Sequence, residues 1–340
     1  LRHGNMKSKK KRMIEIETEV NRKVNFYFAP MEGITGYVYR NAHHRFYGNI
    51  TQYFTPFIAP NSSRKLTSRE MNDILPGNNA KVPVVPQILT NRAEDFIWAA
   101  AKIQELGYKE VNLNLGCPSG TVVAKNRGAG FLAFPLELNR FLETVSREME
   151  GMGMKFSIKT RSGKDSSEEL EELLKIFNQY PLERLILHPR VQADFYKNRP
   201  NWEVFGKAVR NSTNRVCYNG DLFTPEDIGV FTNQFFQVEE IMLGRGLLKN
   251  PALAEEARGE EKTDKNRFQR LRAFHDAVLQ GYRETIPGDR NVLFKMKELW
   301  SYLADGFSEG ERQRKKIRKA GRMEEYLAAV EQMFESCGPE

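Results

Sequence analysis

The stretch Val111-Asn112-Leu113-Asn114-Leu115-Gly116-Cys117-Pro118-Ser119-Gly120 contains a short strand pattern that ends at a glycine, a cysteine and a proline. Apolar and polar residues alternate in its first half, which indicates a β-strand with two different faces. Cys117 then falls on the following loop, where a rigid element can hold a reactive group. Cys217, in contrast, lies inside an apolar run, as a buried structural cysteine would.

Short β-rich runs of this kind recur through the chain before residue 244. They cover residues 25–30, about 50–57, 82–88, 110–115, 155–160, 183–188, 215–219 and 239–243. Helical patterns lie between most of them, at Ala93 to Leu106, Leu136 to Met149, Ser167 to Asn178 and Pro225 to Phe231. Alternating strands and helices indicate parallel strands joined by crossover helices. Eight strands predict an α/β fold, a (β/α)8 TIM barrel. A doubly wound open sheet is the competing architecture, but it would not need eight units.

After Pro251 the strand pattern disappears and apolar residues recur at helical spacing. Phe274, Val278 and Tyr282 are one such set. We therefore expect a smaller all-helical C-terminal domain after the barrel. The predicted domains are a flexible basic leader at 1–24, a barrel at 25–255 and a helical domain at 256–340.

The composition is that of a globular protein, with 40% hydrophobic and 28% charged residues in 340. No apolar run approaches the length of about eighteen residues that a membrane span needs. The three cysteines, at 117, 217 and 337, are widely spaced and form no CxxC pair. This argues against a disulfide framework and against a zinc site, so we expect no metal and a reducing cytoplasm.

Positive charge is concentrated in two segments of this chain, whose net charge is +8. Residues 1–24 contain eight Lys or Arg and three Glu, and residues 310–322 contain seven Lys or Arg and one Glu. Clustered basic charge is typical of a protein that binds a polyanion. For 310–322 a solvated helix face is the alternative interpretation.

Polar or glycine-rich groups stand at the end of nearly every predicted strand. In a parallel barrel these ends meet at one mouth, where active sites lie. Two of the loops are glycine turns, Asn219-Gly220-Asp221 and Gly244-Arg245-Gly246, and they follow the seventh and eighth strands. Loops in this position commonly bind phosphate, although they are also simple tight turns in other barrels. Flavin mononucleotide fits a phosphate site that lies beside Lys and Gln side chains.

These residues together resemble the FMN-dependent tRNA-dihydrouridine synthase family. The similarity runs from about Phe28 to Pro251 and extends more loosely into the helical end. It rests on the order and spacing of several stretches: 29–35 (APMEGIT), 86–88 (PQI), 112–118 (NLNLGCP), 157–163 (SIKTRSG), 187–190 (LHPR), 218–221 (YNGD) and 242–246 (MLGRG).

The resemblance implies roles for individual residues. Those implied to bind FMN are Pro30, Met31, Gln87, Asn114, Lys159, His188, Asn219, Gly220, Asp221, Gly244 and Arg245. Cys117 matches the catalytic cysteine. Arg161 and Arg190 would line the pocket near the target nucleotide. The basic run would contact RNA through Arg312, Arg314, Lys315, Lys316, Arg318 and Lys319.

The family reduces the C5=C6 bond of specific uridines in folded RNA, and NADPH recharges the flavin. The resemblance therefore implies that FMN N5 gives a hydride to C6 and that Cys117 gives a proton to C5. The target base has to leave its stack to reach the barrel mouth. We expect an oxidoreductase that binds tRNA, acts as a monomer in the cytoplasm and involves no membrane.

Other functions stay open: an FMN barrel oxidoreductase acting on a small pyrimidine-like molecule, an RNA-binding flavoprotein whose chemistry is secondary, and a dihydrouridine synthase whose substrate is ribosomal RNA. The chain also departs from the family pattern. Gly36 stands where many members have Asp, Pro189 and Val191 replace commoner Gly and Thr, and Leu247 replaces a small residue. These departures bear on the subfamily and the target uridine.

Overall fold

The structure, a computed structural model, describes residues 24–61, 63–79, 81–260, 264–307 and 310–336. Of the basic leader predicted over residues 1–24, only Val24 falls within these ranges.

The strands of the described residues form one nine-stranded sheet in which every pairing is parallel. They are β1 (Asn25–Phe28), β2 (Ile50–Phe54), β3 (Val84–Val85), β4 (Gln87–Ile88), β5 (Glu110–Leu115), β6 (Lys155–Gly163), β7 (Leu185–Val191), β8 (Val216–Asn219) and β9 (Glu240–Leu243). The sheet order is β3-β2-β1-β9-β8-β7-β6-β5-β4. A strand occurs in each run where the sequence predicts one.

The two edge strands, β3 and β4, are halves of one run that Pro86 interrupts. Proline has no N–H to donate to a neighbouring strand, so it breaks the ladder at this point. On one side of the break, the N–H of Thr55 donates to Val85 O (3.1 Å), and on the other, the N–H of Asn112 donates to Pro86 O (2.9 Å). The sheet closes across the break. This confirms the predicted (β/α)8 barrel over the open sheet.

Helices connect the strands and continue after the last one. They are α1 (Tyr37–Phe46), α2 (Ser68–Ile74), α3 (Ala93–Glu105), α4 (Gly120–Val123), α5 (Pro135–Gly151), α6 (Leu170–Phe177), α7 (Trp202–Asn211), α8 (Pro225–Gln234), α9 (Arg245–Lys249), α10 (Leu253–Glu256), α11 (Asp264–Thr285), α12 (Asp289–Leu303), α13 (Glu311–Lys319) and α14 (Met323–Ser336). None of these described helices has the length and apolar character to cross a membrane.

Helix α8 illustrates how local sequence sets a helix start. Thr224 accepts a hydrogen bond from the N–H of Asp227 (3.1 Å), and the Asp227 carboxylate accepts one from the N–H of Thr224 (3.1 Å). This reciprocal capping box satisfies backbone donors that the first turn leaves unpaired. Pro225 occupies the first helical position, where its missing N–H costs nothing. The start of α8 is therefore determined within four residues.

Side chains along each strand alternate between the surrounding helices and the barrel interior. On β5, Val111, Leu113 and Leu115 are fully buried in the core shared with the helices. Part of the interior is filled by a separate apolar cluster of Tyr27, Ala29, Phe54, Val85, Ile186, Cys217 and Met242. Cys217 is thus a packed interior residue, as the sequence predicts.

The remainder of the interior holds an interior polar ladder, a chain of side-chain hydrogen bonds. It consists of Asn114 Nδ2 to Gln87 Oε1 (2.7 Å), Gln87 Nε2 to Asn112 Oδ1 (2.8 Å), Asn112 Nδ2 to Ser157 Oγ (3.0 Å) and Ser157 Oγ to Glu110 Oε1 (2.9 Å). The ladder connects the carboxyl end of β5 with its amino end, so the polar groups buried in this half of the barrel satisfy one another.

A buried ion cluster closes the amino end of the barrel. Arg184 Nη1 lies 2.5 Å from Glu110 Oε1, and its Nε lies 3.5 Å from Glu240 Oε2. The Tyr27 hydroxyl donates to Glu240 Oε1 (2.9 Å), and the Arg184 guanidinium stacks on the Tyr27 ring at 4.9 Å. All three charged side chains are less than a tenth exposed. One buried cation therefore lies between two carboxylates, away from water.

Helices α11 to α14 pack against the barrel and against each other. Phe274 on α11 meets Tyr39 on α1 edge to face, with ring centroids 5.5 Å apart. Within the helical part, the Tyr326 hydroxyl accepts from Trp300 Nε1 (2.9 Å) and lies 2.6 Å from His275 Nε2. The helical character predicted for this region is confirmed. The predicted boundary between 255 and 256 falls inside α10, and the extent of each domain stays a prediction.

Candidate active site

A cavity of about 50 Å³ opens at the carboxyl ends of β1, β6, β7, β8 and β9. It brings together most of the residues that the sequence singles out: Pro30, Met31, Lys159, His188, Asn219, Gly220, Asp221, Gly244 and Arg245. The alternation of the strands explains this convergence, because each inward-facing position near a strand end points to the same mouth.

Gln87 and Asn114 lie beside this cavity as the upper end of the interior polar ladder and do not line it. Both are buried, and their side chains are joined by the 2.7 Å hydrogen bond from Asn114 Nδ2. The Asn114 Oδ1 atom accepts from the backbone N–H groups of Gly116 (3.0 Å) and Cys117 (2.9 Å). Asn114 therefore fixes the turn that carries the thiol.

The Cys117 loop is held on its other side by a glycine. Gly128 has a φ of +56°, which favours glycine, and a Cβ there would approach Cys117 O to 2.8 Å. The next residue, Ala129, donates its N–H to Cys117 O (3.1 Å). Burial raises the pKa of the Cys117 thiol, so it keeps its proton at neutral pH. The loop presents a half-buried neutral thiol, which is suited to giving a proton rather than to attacking as a thiolate.

Lys159 is the cation at the floor of the cavity. Burial, with the Arg161 charge as a second cause, lowers the pKa of Lys159 to about 8. Its ammonium makes no hydrogen bond or ion pair with any residue that the structure describes. A partly buried cation that has no partner among the described residues is costly, so this position favours an electronegative ligand. Lys159 therefore fits the acceptor atoms of a flavin or an anion.

His188 is held neutral in a defined tautomer. Burial lowers its pKa well below the usual value, and the charges of Arg161, Lys159 and other neighbouring cations act in the same direction. Its Nε2 lies 2.9 Å from Arg190 Nη1. Since a guanidinium only donates, Nε2 is the acceptor and the ring proton sits on Nδ1. The cavity thus contains a neutral imidazole with a single N–H to offer.

Asp221 is the anion of the site and links two arginines. It accepts two hydrogen bonds from Arg190, at 3.0 and 2.6 Å, and forms an ion pair with Arg245. Arg190 also donates to the backbone oxygen of Asn198. Arg190 is thereby fully engaged within the protein, and the nucleotide contact expected for it stays a prediction.

Arg161 is also used internally. It is almost fully buried, and it donates to the backbone oxygens of Gly116 (2.9 Å), Val191 (2.8 Å) and Phe195 (2.9 Å). These bonds tie the Cys117 loop to the loop after β7. The geometry indicates a positioning role for Arg161, and its expected contact with a nucleotide likewise stays a prediction.

Sequence reasoning missed Tyr196, which lines the cavity from the loop after β7. Its ring stacks with the Arg245 guanidinium at 4.4 Å and lies 6.2 Å from the His188 ring. It is 47% exposed, so nearly half of an aromatic side chain remains accessible at the mouth. The signal available in the sequence was an aromatic pair, Phe195-Tyr196, in a polar segment that follows a strand with site residues.

The six cations expected to contact RNA all lie on α13, but they are not equally available. Arg314 pairs with Asp305 (2.9 Å), Lys315 with Glu311 (3.4 Å), and Lys316 donates to Gln332 (2.7 Å). The remaining three are exposed and form no ion pair among the described residues: Arg312, Arg318 and Lys319. RNA contact by this helix remains a prediction, and among the described residues these three exposed side chains suit it best.

The helical part also lies over the barrel mouth. Lys295 on α12 donates to the backbone oxygen of Gly33, and the Tyr282 hydroxyl on α11 donates to Ile34 O (3.3 Å). Together these helices and the loops after β1 and β2 enclose a second, larger cavity of about 350 Å³. In the described ranges, no group of three or more His, Cys, Asp or Glu side chains could hold a metal ion.

The profile of the dihydrouridine synthase (Dus) family matches residues 27–337 of this chain. The chain belongs to the dihydrouridine synthase family. It is similar to a probable tRNA-dihydrouridine synthase of Staphylococcus aureus (strain COL), with 26% identity over 270 residues that cover 76% of this chain and 78% of that protein. It is equally similar to the probable tRNA-dihydrouridine synthase 2 of Bacillus subtilis (strain 168), at 26% identity over 260 residues, 74% of this chain and 77% of that protein.

Solved structures resemble this family member at low sequence identity. A morphinone reductase variant in complex with tetrahydroNAD has a TM-score of 0.51 at 10% identity and covers 72% of this chain and 89% of its own. A 2-naphthoyl-CoA reductase in complex with 2-naphthoyl-CoA has a TM-score of 0.55 at 10% identity, covering 71% and 50%. At such identity the likeness concerns the fold alone, and it agrees with the barrel described above.

One departure from the family pattern has a structural counterpart. Gly36, which precedes α1, offers no side chain to cap that helix. The Asp73 carboxylate, from α2, accepts the N–H of Tyr37 instead (2.7 Å). In this family member an acidic side chain from elsewhere in the chain thus serves the helix start where many members have Asp at position 36.

Proposed function

We propose that this chain reduces the C5=C6 bond of specific uridines in tRNA to 5,6-dihydrouridine, with FMN as cofactor and NADPH as the electron donor. The observation that carries the proposal is that two groups lie at one barrel mouth: the ammonium of Lys159, which has no hydrogen bond or ion pair among the described residues, and the protonated thiol of Cys117. Membership of the dihydrouridine synthase family supports it.

The cavity residues suit a phosphorylated flavin. Lys159 would donate to its ring acceptors, and the Nδ1–H of His188 offers a neutral donor. Arg245, although paired with Asp221, adds positive charge beside the glycine loop that follows β9. At Gly244 a Cβ would come within 3.3 Å of Ala29 Cβ and 3.6 Å of Met31 Sδ, so this part of the wall has room for little beyond backbone. A glycine there lets backbone N–H groups approach a phosphate closely.

Bound FMN would supply the hydride to C6 of the uracil. The remaining work falls to the protein. Cys117 would give a proton to C5, because a neutral thiol can act as a general acid without first being ionised. Asn114 would hold the Cys117 loop in position through its hydrogen bonds to the backbone, and Tyr196 would present an aromatic ring to the base. Since a stacked base cannot reach this cavity, the uridine would be extruded into the mouth.

The same proposal includes the rest of the molecule. Residues 25–255 would be the catalytic barrel, and residues 256–340 would help to hold the RNA through Arg312, Arg318 and Lys319. Contacts of this kind to phosphates position a nucleic acid without reading its sequence. We infer a monomer that acts in the cytoplasm.

The test is a reaction with defined RNA. The purified protein, loaded with FMN, is incubated with NADPH and either unmodified tRNA or ribosomal RNA, and dihydrouridine is mapped by mass spectrometry. We expect dihydrouridine at discrete tRNA positions. Dihydrouridine found in ribosomal RNA alone would mean that the substrate is ribosomal RNA and not tRNA. A protein that neither binds FMN nor forms dihydrouridine would contradict the proposal.

The Lys159 charge should make FMN binding depend on pH. Because the ammonium is present below its pKa of about 8 and lost above it, affinity should be highest near neutral pH and fall as the pH rises through about 8. Lys159→Met should weaken FMN binding by about 10- to 100-fold, the equivalent of one charged hydrogen bond, and remove this pH dependence. Quenching of flavin fluorescence measures both effects.

Lys164→Met is the control, since Lys164 lies just beyond the end of the same strand but pairs with Asp165 (2.8 Å). It should bind FMN as the unmodified chain does, with the same pH profile. A Lys159→Met variant that keeps both affinity and pH dependence would remove Lys159 from the cofactor site.

The three exposed cations of α13 that form no ion pair among the described residues should set the salt dependence of RNA binding. Replacing Arg312, Arg318 and Lys319 by glutamine should lower the slope of log K against log salt by about two, since each lost phosphate contact removes roughly 0.7–0.9. The measurement is filter binding of tRNA over a range of salt concentrations. A matched control removes three charges from outer barrel helices, at Lys102, Lys175 and Lys207, and should leave the slope unchanged. Equal slopes for both variants would favour the alternative interpretation, in which α13 presents only a solvated helix face.

A further inference from the structure

Phe195 combines two features that cost stability and that the packing of the protein does not explain. Its φ is +50° and its ψ −96°, in a region that a bulky residue rarely adopts. Its side chain is 42% exposed, and its ring makes no aromatic contact with any described residue. The other non-glycine residues with positive φ in the described ranges are Asn49, Arg64 and Asn126, all polar.

The strained backbone is held from several directions. Arg161 donates to Phe195 O (2.9 Å), and the N–H of Phe195 donates to Gln192 O (3.2 Å). Asp194 accepts from the N–H of Val191 (3.1 Å) through one carboxylate oxygen and from the Asn198 side chain through the other. Strain of this kind persists only where surrounding structure determines it, and such positions cluster at functional sites. Holding an apolar ring in water on a strained backbone therefore costs free energy.

The position of Phe195 indicates what the ring is for. The next residue, Tyr196, lines the cavity beside Lys159 and His188. Exposed cations, Lys197 and Arg199, follow directly. Adjacent aromatic rings among cations are the composition of surfaces that stack nucleobases and follow a phosphate backbone.

We infer that Phe195 stacks on an unpaired base of the RNA next to the uridine that is extruded into the barrel mouth. The inference rests on the proposed function, because it takes the barrel mouth to receive the target base. Stacking there would fill the gap that the extruded uridine leaves. The free energy of stacking would offset the backbone strain, and it is gained only in the complex. A base–aromatic stack contributes about 1–3 kcal/mol, which corresponds to about a 5- to 150-fold change in affinity.

The test compares replacements of Phe195 in the full chain loaded with FMN. Phe195→Ala should raise both Kd and KM for unmodified tRNA by about 5- to 150-fold, while Kd for FMN and flavin reduction by NADPH stay unchanged. Phe195→Trp should bind tRNA at least as tightly as the unmodified chain. Phe195→Gly should lose as much RNA affinity as the alanine variant. It should unfold at a higher temperature than the alanine variant, since glycine adopts this backbone without strain.

Phe236→Ala provides the matched control. Phe236 is a more exposed aromatic residue, 71%, and precedes β9 at the amino end of the barrel, away from the mouth. This variant should leave RNA binding unchanged.

The outcomes separate the inference from the proposed function. If the unmodified chain forms dihydrouridine but Phe195→Ala binds tRNA normally, the inference is wrong and the function stands. If Phe195→Ala instead loses FMN, the ring covers the flavin and the inference is equally wrong. If the unmodified chain binds tRNA but reduces no uridine, the proposed function fails on its own.

Discussion

Replacing Cys117 by alanine is expected to slow uridine reduction by about 10²- to 10⁴-fold, the usual contribution of a positioned general acid. Flavin binding and the reduction of the flavin by NADPH should be unchanged, because the thiol does not line the cavity that we propose for FMN. Uridine reduction should slow because the variant lacks the proton donor: the raised pKa of Cys117 keeps the proton on sulfur at neutral pH. Single-turnover reduction of tRNA by pre-reduced protein measures the step directly.

Two further variants make this test specific. Cys117→Ser should be nearly as slow as alanine, since a serine hydroxyl is a far weaker acid than a thiol. Cys217→Ala should keep its activity, because Cys217 packs in the apolar cluster inside the barrel. An alanine variant at position 117 that reduces tRNA at the normal rate would show that the proton comes from another group.

Replacing Arg184 by leucine is expected to reduce the free energy of unfolding by about 3–5 kcal/mol, the cost of stranding buried charges. The cation lies between Glu110 and Glu240, and neither carboxylate is exposed enough to be solvated in its absence. Denaturation of the flavin-free protein in urea, followed by circular dichroism, measures the loss. Adding Glu110→Gln to this variant should recover part of it, because one of the two stranded charges is then removed.

Arg215→Leu is the matched control at the same end of the barrel. Arg215 also approaches Glu183 (3.4 Å) and Glu240 (3.8 Å), but its side chain is 64% exposed. Exposed pairs contribute about 0–1 kcal/mol, so this variant should unfold almost as the unmodified chain does. Similar losses for both arginines would mean that burial does not determine the contribution of Arg184.

The fold could be predicted from the sequence because its signals are local. Alternation in β5 and the recurrence of similar runs were sufficient to predict eight crossover units. The break at Pro86 is also visible in the sequence, but the closure that follows from it is not. Whether one half of this run pairs with β2 and the other half with β5 depends on the tilt of all the strands, which no single segment encodes.

Most residues of the candidate site could be predicted from the sequence, but the hydrogen bonds between them could not. Lys159 and His188 were found because a strand end fixes where an inward-facing side chain must lie. The engagement of Arg161 with three backbone oxygens was not visible, because its partners are 30 or more residues away in the chain. Tyr196 was missed since loop conformation, rather than periodicity, brings it to the cavity.

The interior polar ladder has a fixed direction. A carboxylate can only accept, so the Ser157 hydroxyl must give its proton to Glu110. That oxygen is then free to accept from the amide nitrogen of Asn112, whose own oxygen faces Gln87. Each amide is thus oriented by the group below it, and the series of hydrogen bonds starts from a single carboxylate, which only accepts.

The last link of this series sets the loop at the mouth. Because Gln87 offers an oxygen to Asn114, the Asn114 amide cannot be reversed, and its own oxygen is turned toward the N–H of Cys117. The dipoles along the chain share one sense and reinforce one another. A negative charge held at the closed end of the barrel therefore determines, by polarity alone, how the thiol is presented at the open end.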